Sequence, residues 1–188
     1  MDLPKFAPLI EQFKQATNLG LKIFLLAGNR DFLLGDKFFQ LSGIKKIKEP
    51  FILDIAGDKA VLLHGDKLCT DDLPYQRMRI FLQNPISKII FQLLPKPWLL
   101  KISSQLKNKT NKSKQKKTAM IMDVNQTAVE KFMRRHQCQI LIHGHTHRAK
   151  IHQEPAGKRY VLGDWQKQGE ILVYDGEFRM VANSFKNV

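Results

Sequence analysis

Apolar positions along the chain follow two rhythms, and the switches between them divide it into elements. Phe6, Leu9, Ile10, Phe13 and Ala16 recur at helical spacing, so residues 4–18 are predicted to form a helix that stops at Asn18-Leu19-Gly20. Residues 21–27 then run almost uninterrupted in apolar side chains, the length of a buried strand, and deliver Gly28-Asn29-Arg30-Asp31 at its end. A short helix fits 35–42. Two further apolar runs, 52–56 and 59–63, flank Gly57-Asp58 and predict a hairpin whose second strand ends in His64-Gly65-Asp66.

Beyond Asp71-Asp72 the apolar groups return to helical spacing from Ile80 to Ile102, and Pro85, Pro95 and Pro97 cut them into short helices, the pattern of an inserted cap. Residues 107–117, all Lys, Asn, Ser, Thr or Gln, read as a flexible linker. Asp123 is placed to cap a helix that turns Val129, Phe132 and Met133 inward and carries Arg134, Arg135 and His136 in its last turn. His136 there reads as part of a helix end rather than as a ligand. A strand over 139–142 follows, and strands over 160–162, 170–174 and 178–182, with a turn at Asp175-Gly176, are expected to complete a sheet. His152, beside Lys150, reads as a surface residue, and no internal repeat is present.

Composition sets bounds on this picture. With 188 residues, 43% of them hydrophobic and 26% charged, the chain fits one folded domain with a sizeable core. Cys69 and Cys138 lie on unrelated segments, which predicts free thiols and a reducing compartment. No run of 18 apolar residues occurs, and Lys5, Glu11 and Lys14 interrupt the start, so a cytoplasmic location is expected.

Charge changes the picture in one place. The net charge is +14, yet residues 73–122 contain no acidic side chain and hold eleven of the 31 basic ones. The remainder of the chain, with 20 basic and 17 acidic residues, is nearly balanced. Basicity thus belongs to the cap, whose partner should be an anionic substrate, a membrane surface or nucleic acid. Nucleic acid fits least, because the aromatics of the segment, Tyr75, Phe81, Phe91 and Trp98, all precede its densest lysines and leave no stacking platform among them.

The chemistry gathers at strand ends. His143, His145 and His147 follow the apolar run 140–142 at alternate positions, so their imidazoles are expected to reach one cluster, and Gly144 lets the backbone approach it. Asn29 and His64 each follow a short apolar strand in the same way, and an open α/β sheet collects ligands at the carboxyl ends of its strands. A nitrogen and oxygen donor set without thiolate suits manganese, iron or zinc acting as a Lewis acid, which points to hydrolysis of a phosphate ester or anhydride.

Four stretches, 28–35 (GNRDFLLG), 64–72 (HGDKLCTDD), 119–126 (AMIMDVNQ) and 143–148 (HGHTHR), in this order resemble the calcineurin-like metallophosphoesterases. Within them the chain looks like the hydrolases that split UDP-2,3-diacylglucosamine into 2,3-diacylglucosamine 1-phosphate and UMP in lipid A synthesis. The resemblance covers residue 21 onward. It implies an α/β fold, a β-sandwich flanked by helices with a helical lid at 73–122 inside a single domain of residues 1–188. It also implies a two-metal Mn2+ site, to which Asn29, His64, His145 and His147 correspond. Substrate contacts by the same resemblance are Asn29, Arg30, Asp72, Thr110, Lys114, Lys117 and His145, with Tyr75 near them; Thr110 and Lys114 stand where related enzymes carry Ser and Asn. Such enzymes work at the cytoplasmic face of the inner membrane, where an apolar, basic lid would receive acyl chains and phosphates.

The family pattern opens with D-x-H and then G-D, and neither precedes Gly28-Asn29-Arg30-Asp31; Asp2 has no His two positions on. The resemblance therefore implies a member truncated at its N-terminus, short of three ligand side chains, with uncovered apolar faces, low stability and weak or absent catalysis. Two other readings stay open: a non-catalytic remnant that binds anionic lipid or membrane, and a metallophosphoesterase acting on a different phosphodiester.

Overall fold

Two apolar runs on either side of Gly57-Asp58 close into the hairpin from which the main sheet is built. A computed structural model describes residues 3–28, 31, 34–84, 86, 87, 90, 93–95, 97, 98, 102, 104, 123–164 and 169–183. Strands β3 (Phe51–Ile55) and β4 (Asp58–Leu63) pair antiparallel with Ile55 opposite Asp58. The connecting residues are therefore Ala56 and Gly57, one position earlier than the glycine-aspartate pair suggests. Both have positive φ, 54° and 89°, the backbone a two-residue hairpin needs to match the strand twist.

β5 (Ile140–His143) pairs parallel with β4, β7 (Gly157–Val161) pairs parallel with β5, and β6 (Lys150–Glu154) closes the edge antiparallel to β7. The order is β3-β4-β5-β7-β6. Strands with a neighbour on each side carry the core: Ala60, Val61, Leu141 and Val161 are buried. Gly157, at φ 149°, packs against the Gln139 carbonyl, where an added Cβ would lie 2.0 Å from the oxygen. The tail departs from the expected single sheet. Among the described residues β8 (Gly169–Tyr174) and β9 (Phe178–Asn183) pair with each other alone, as a separate hairpin whose Phe178 stacks on Tyr160 and whose Leu172 packs against the cluster of Ala60, Ile140 and Tyr160 in the main sheet.

The N-terminal helix α1 (Leu3–Asn18) ends as expected. Gly20, at φ 93°, lets the Leu21 amide donate to Ala16 and its own amide to Thr17, satisfying carbonyls of the last turn. Its apolar face is less covered than the spacing predicts: Ile10 is buried with Phe13 beside it, whereas Phe6 and Leu9 are exposed. Helix α2 (Asp36–Ser42) packs on α1 through Phe38, with Ile44 just beyond its end in the same cluster, and Gly43 sits so close to Thr17 that a Cβ would clash with its hydroxyl.

The run predicted to be a buried strand is shorter and more exposed than expected. β1 covers only Phe24–Leu26, pairs with the three-residue β2 (Lys45–Ile47), and leaves Leu21 60% and Phe24 47% exposed. Its physical reason is the neighbour count, since among the described residues β1 is hydrogen-bonded on one side alone.

Two compact units divide the chain, Met1–His64 with Met133–Val188, and Gly65–Phe132. In the second, helix α3 (Leu73–Gln83) starts at Asp72, whose carboxylate accepts the Tyr75 amide at 3.1 Å. Buried Asp66 pairs with Arg79 at 2.5 Å, and the Gln76 amide donates to the carbonyls of Asp66 and Cys69, so this helix is tied to the loop before it. Helix α4 (Gln126–His136) is capped not by Asp123 but by Asn125, whose side-chain oxygen accepts the Ala128 amide at 2.9 Å; Asp123 bonds the Val124 amide instead. Val129 and Met133 are fully buried as predicted, with Phe132 half-buried. The short helices and linker expected over 85–122 fall largely outside the described residues. Among those described, Ile80, Phe81, Ile86, Ile90, Leu93 and Trp98 are exposed. No described helix is long and apolar enough to cross a membrane.

Candidate metal centre

Parallel pairing of β4 with β5 sets Leu63 opposite His143, so the residues that follow, His64 on one strand and Gly144-His145 on the other, leave the sheet side by side. The Gly144 amide donates to the His64 carbonyl at 3.1 Å and joins the two ends. From the other side the His64 amide donates to Glu49, at 2.9 Å. Gly28 lies against the His64 ring, and a Cβ there would come within 2.9 Å of Cε1. Its amide donates to the Asp31 carboxylate at 2.8 Å, so the glycine of the first polar motif packs on the histidine of the second.

The two imidazoles meet. His64 Nε2 and His145 Nδ1 are 3.1 Å apart, the ring centroids 4.9 Å apart and the planes inclined by 76°. Two nitrogens each ~2.1 Å from one ion, at roughly 95–110° to one another, would lie ~3.1–3.4 Å apart, so the spacing suits either a shared proton or a shared divalent cation. Backbone conformation supports a working role: His145 and His147 adopt φ of 68° and 56°. Such left-handed residues cost of order 1–3 kcal/mol each and concentrate where a site demands a particular direction of side chain.

The expected cluster of three alternate histidines does not form. His143 is 1% exposed and turned inward; its Nδ1 donates to the Gly144 carbonyl at 3.0 Å, and Arg159 approaches its Nε2 at 3.4 Å. Alternation along an extended segment would place 143, 145 and 147 on one side, but the positive φ values after His143 reverse the chain and separate the first imidazole from the other two. His147 is exposed, and among the described residues no group of three or more His, Cys, Asp or Glu side chains is placed to hold a metal ion. The pair His64 and His145 fits two ligands of one ion, and no second centre is assembled among the described residues.

Asn29, Arg30, Thr110, Lys114 and Lys117 lie outside the described residues. Asp72 is buried at the start of α3, and Tyr75 directs its hydroxyl to Asp66 at 3.4 Å. His136 ends α4, with burial, and then Arg135 and Lys59, holding its pKa down. His152 is half-buried within β6 rather than a surface residue. Cys69 and Cys138 are not bridged to each other, and both are buried; burial, and then the surrounding aspartates, push Cys69 up to about 12. Spacing alone missed Glu49, and it missed the buried Glu154 and Arg159, which pair at 2.7 Å behind His143. The available signal was an acid and a base five residues apart across a tight turn, on a short strand pair that otherwise reads as solvated.

No protein-family model matches the chain. Relatives match nearly all of it. A UDP-2,3-diacylglucosamine hydrolase from Shewanella piezotolerans is 45% identical over 88% of this chain and 71% of the relative. One from Vibrio atlanticus is 40% identical over 99% of this chain and 79% of the relative. A solved structure described as a novel archaeal phosphodiesterase aligns with 14% identity and a TM-score of 0.45 over 90% of this chain and 74% of that one, too slight a likeness to add to the sequence match.

Proposed function

Because the chain belongs to the UDP-2,3-diacylglucosamine hydrolase family, whose members act on a pyrophosphate bond, we propose that it hydrolyses UDP-2,3-diacylglucosamine to 2,3-diacylglucosamine 1-phosphate and UMP in lipid A synthesis. The observation that carries the reading is the convergence of His64 and His145, from two of the motifs that bear the resemblance, at 3.1 Å on adjacent strand ends.

His64 and His145 would hold a divalent cation, Mn2+ by the resemblance, with Asn29 as a third donor and His147 left to a second ion. A bound divalent cation supplies Lewis acidity toward the phosphate oxygens and lowers the pKa of water. The protein's own residues do the rest. The left-handed backbone at His145 directs its ring toward His64, and the Gly144 amide keeps the two strand ends together. His145 also supports the substrate phosphate, while Arg30 and Lys117 offset the charge that grows as water adds to phosphorus and the anhydride bond breaks. Asp72, Thr110 and Lys114 complete the substrate contacts. The basic, acid-free cap takes the acyl chains and the anionic surface of the inner membrane, on its cytoplasmic side; the exposed Ile80, Phe81 and Trp98 support that assignment.

Turnover by these 188 residues is expected to be weak, because by the resemblance Asn29, His64 and His145 serve one ion and only His147 remains for the other. The test is UMP release with Mn2+, beside the Shewanella relative. The expected result is slow release, abolished by chelation and by His145→Ala. Release that ignores chelation or His145→Ala would contradict the site, and a rate matching the relative would contradict the weakness.

A second reading has an observation of its own. If the exposed apolar residues of the cap act without chemistry, the chain is a lipid-binding remnant. It would then sediment with anionic vesicles after His145→Ala and His147→Ala but not after Lys-to-Glu changes within residues 107–117.

A further inference from the structure

Behind the histidine pair runs a buried polar chain that crosses three strands. Glu154 at the end of β6, Arg159 in β7 and His143 at the end of β5 are all nearly inaccessible, at 4%, 3% and 1% exposure. Arg159 Nε donates to Glu154 at 2.7 Å, and its Nη1 faces His143 Nε2 at 3.4 Å. A carbonyl oxygen accepts only and a guanidinium donates only, so the bond from His143 Nδ1 to the Gly144 carbonyl leaves Nε2 as the acceptor for Arg159. Gly144 is the junction: its amide holds the His64 carbonyl and its carbonyl accepts both His143 and the Thr146 amide.

We propose that Glu154, Arg159 and His143 form a positioning relay that fixes the Gly144 peptide, and through it the left-handed His145 opposite His64. The inference rests on the proposed metal-binding role of that pair and adds residues that touch neither ion nor substrate. Its logic is the cost of the arrangement. A buried guanidinium-carboxylate pair gains little net stability over apolar packing of the same volume, so its presence directly behind a strained loop calls for a role in fixing geometry. Partners that orient metal ligands from behind are worth ~10–100-fold in metal affinity when removed.

The double variant Glu154→Leu/Arg159→Met of the full chain tests this, since removing both charges together leaves neither one stranded. Two readouts apply: ring-to-ring nuclear Overhauser contacts between His64 and His145 without metal, and Mn2+ affinity by calorimetry. The relay predicts a folded variant that has lost the ring contacts and binds Mn2+ ~10–100-fold more weakly. A folded variant with ring contacts and affinity both unchanged would overturn it. Should the double variant unfold, Arg159→Lys decides, because a single ammonium that keeps the Glu154 pair cannot also reach His143; intact ring contacts there would refute the relay. If the unaltered chain takes no Mn2+, the metal reading fails while the ring contacts still judge the relay.

Discussion

Two sheets in the same unit show what strand neighbours do for similar sequences. β5 (Ile140–His143) and β1 (Phe24–Leu26) are both short apolar runs that end in a polar motif. β5 is flanked by β4 and β7, buries Ile140 and Leu141, and delivers His145 to a defined partner. β1 has β2 alone beside it among the described residues and leaves Phe24 half in solvent. A run of apolar residues therefore makes a strand available for burial, and its neighbours decide whether burial happens.

Truncation at the two strands should separate them most sharply. Leu141→Ala is expected to cost about 2–5 kcal/mol, because the close-packed sheet cannot collapse into the space left. Phe24→Ala should cost about 1 kcal/mol or less, since its ring contacts Phe51 at 6.2 Å but is already half hydrated. Chemical denaturation of both variants checks the difference, and equal losses would erase the distinction.

Thiol labelling sharpens the same contrast with a smaller effect. Burial raises the pKa of Cys138, which precedes β5, so its neutral form is favoured in the fold. The stability it contributes is complete below the thiol pKa of the unfolded chain, roughly 8.5, and is lost as pH rises through the folded value. At pH 8 Cys138 should label only through opening of the sheet, whereas a thiol introduced by Leu21→Cys should label at once. Mass spectrometry of timed alkylation gives both rates, and fast labelling of Cys138 would show that the central sheet opens as readily as β1.

Sequence patterns made the central sheet largely legible. The hairpin of β3 and β4 follows from two apolar runs on either side of a glycine, and His64 and His145 follow from polar motifs at the ends of apolar runs. What escaped was set by tertiary partners. β2 and β6 are short and lysine-bearing, Lys45-Lys46-Ile47 and Lys150–Glu154, a composition suited to sheet edges that blurs the strand signal. Asp123 and Asn125 are both competent caps, and only the position of the first turn chooses between them. The inward turn of His143 depends on Arg159 and Glu154 from the next hairpin, which no spacing within residues 143–147 encodes.

The central claim is that His64 and His145 share a cation, and Mn2+ titration followed through the ring signals of the six histidines tests it most directly. At substoichiometric metal the account predicts that His64 and His145 broaden first, well ahead of His136 and His152. Uniform broadening of all six, or broadening that begins away from this pair, would contradict it.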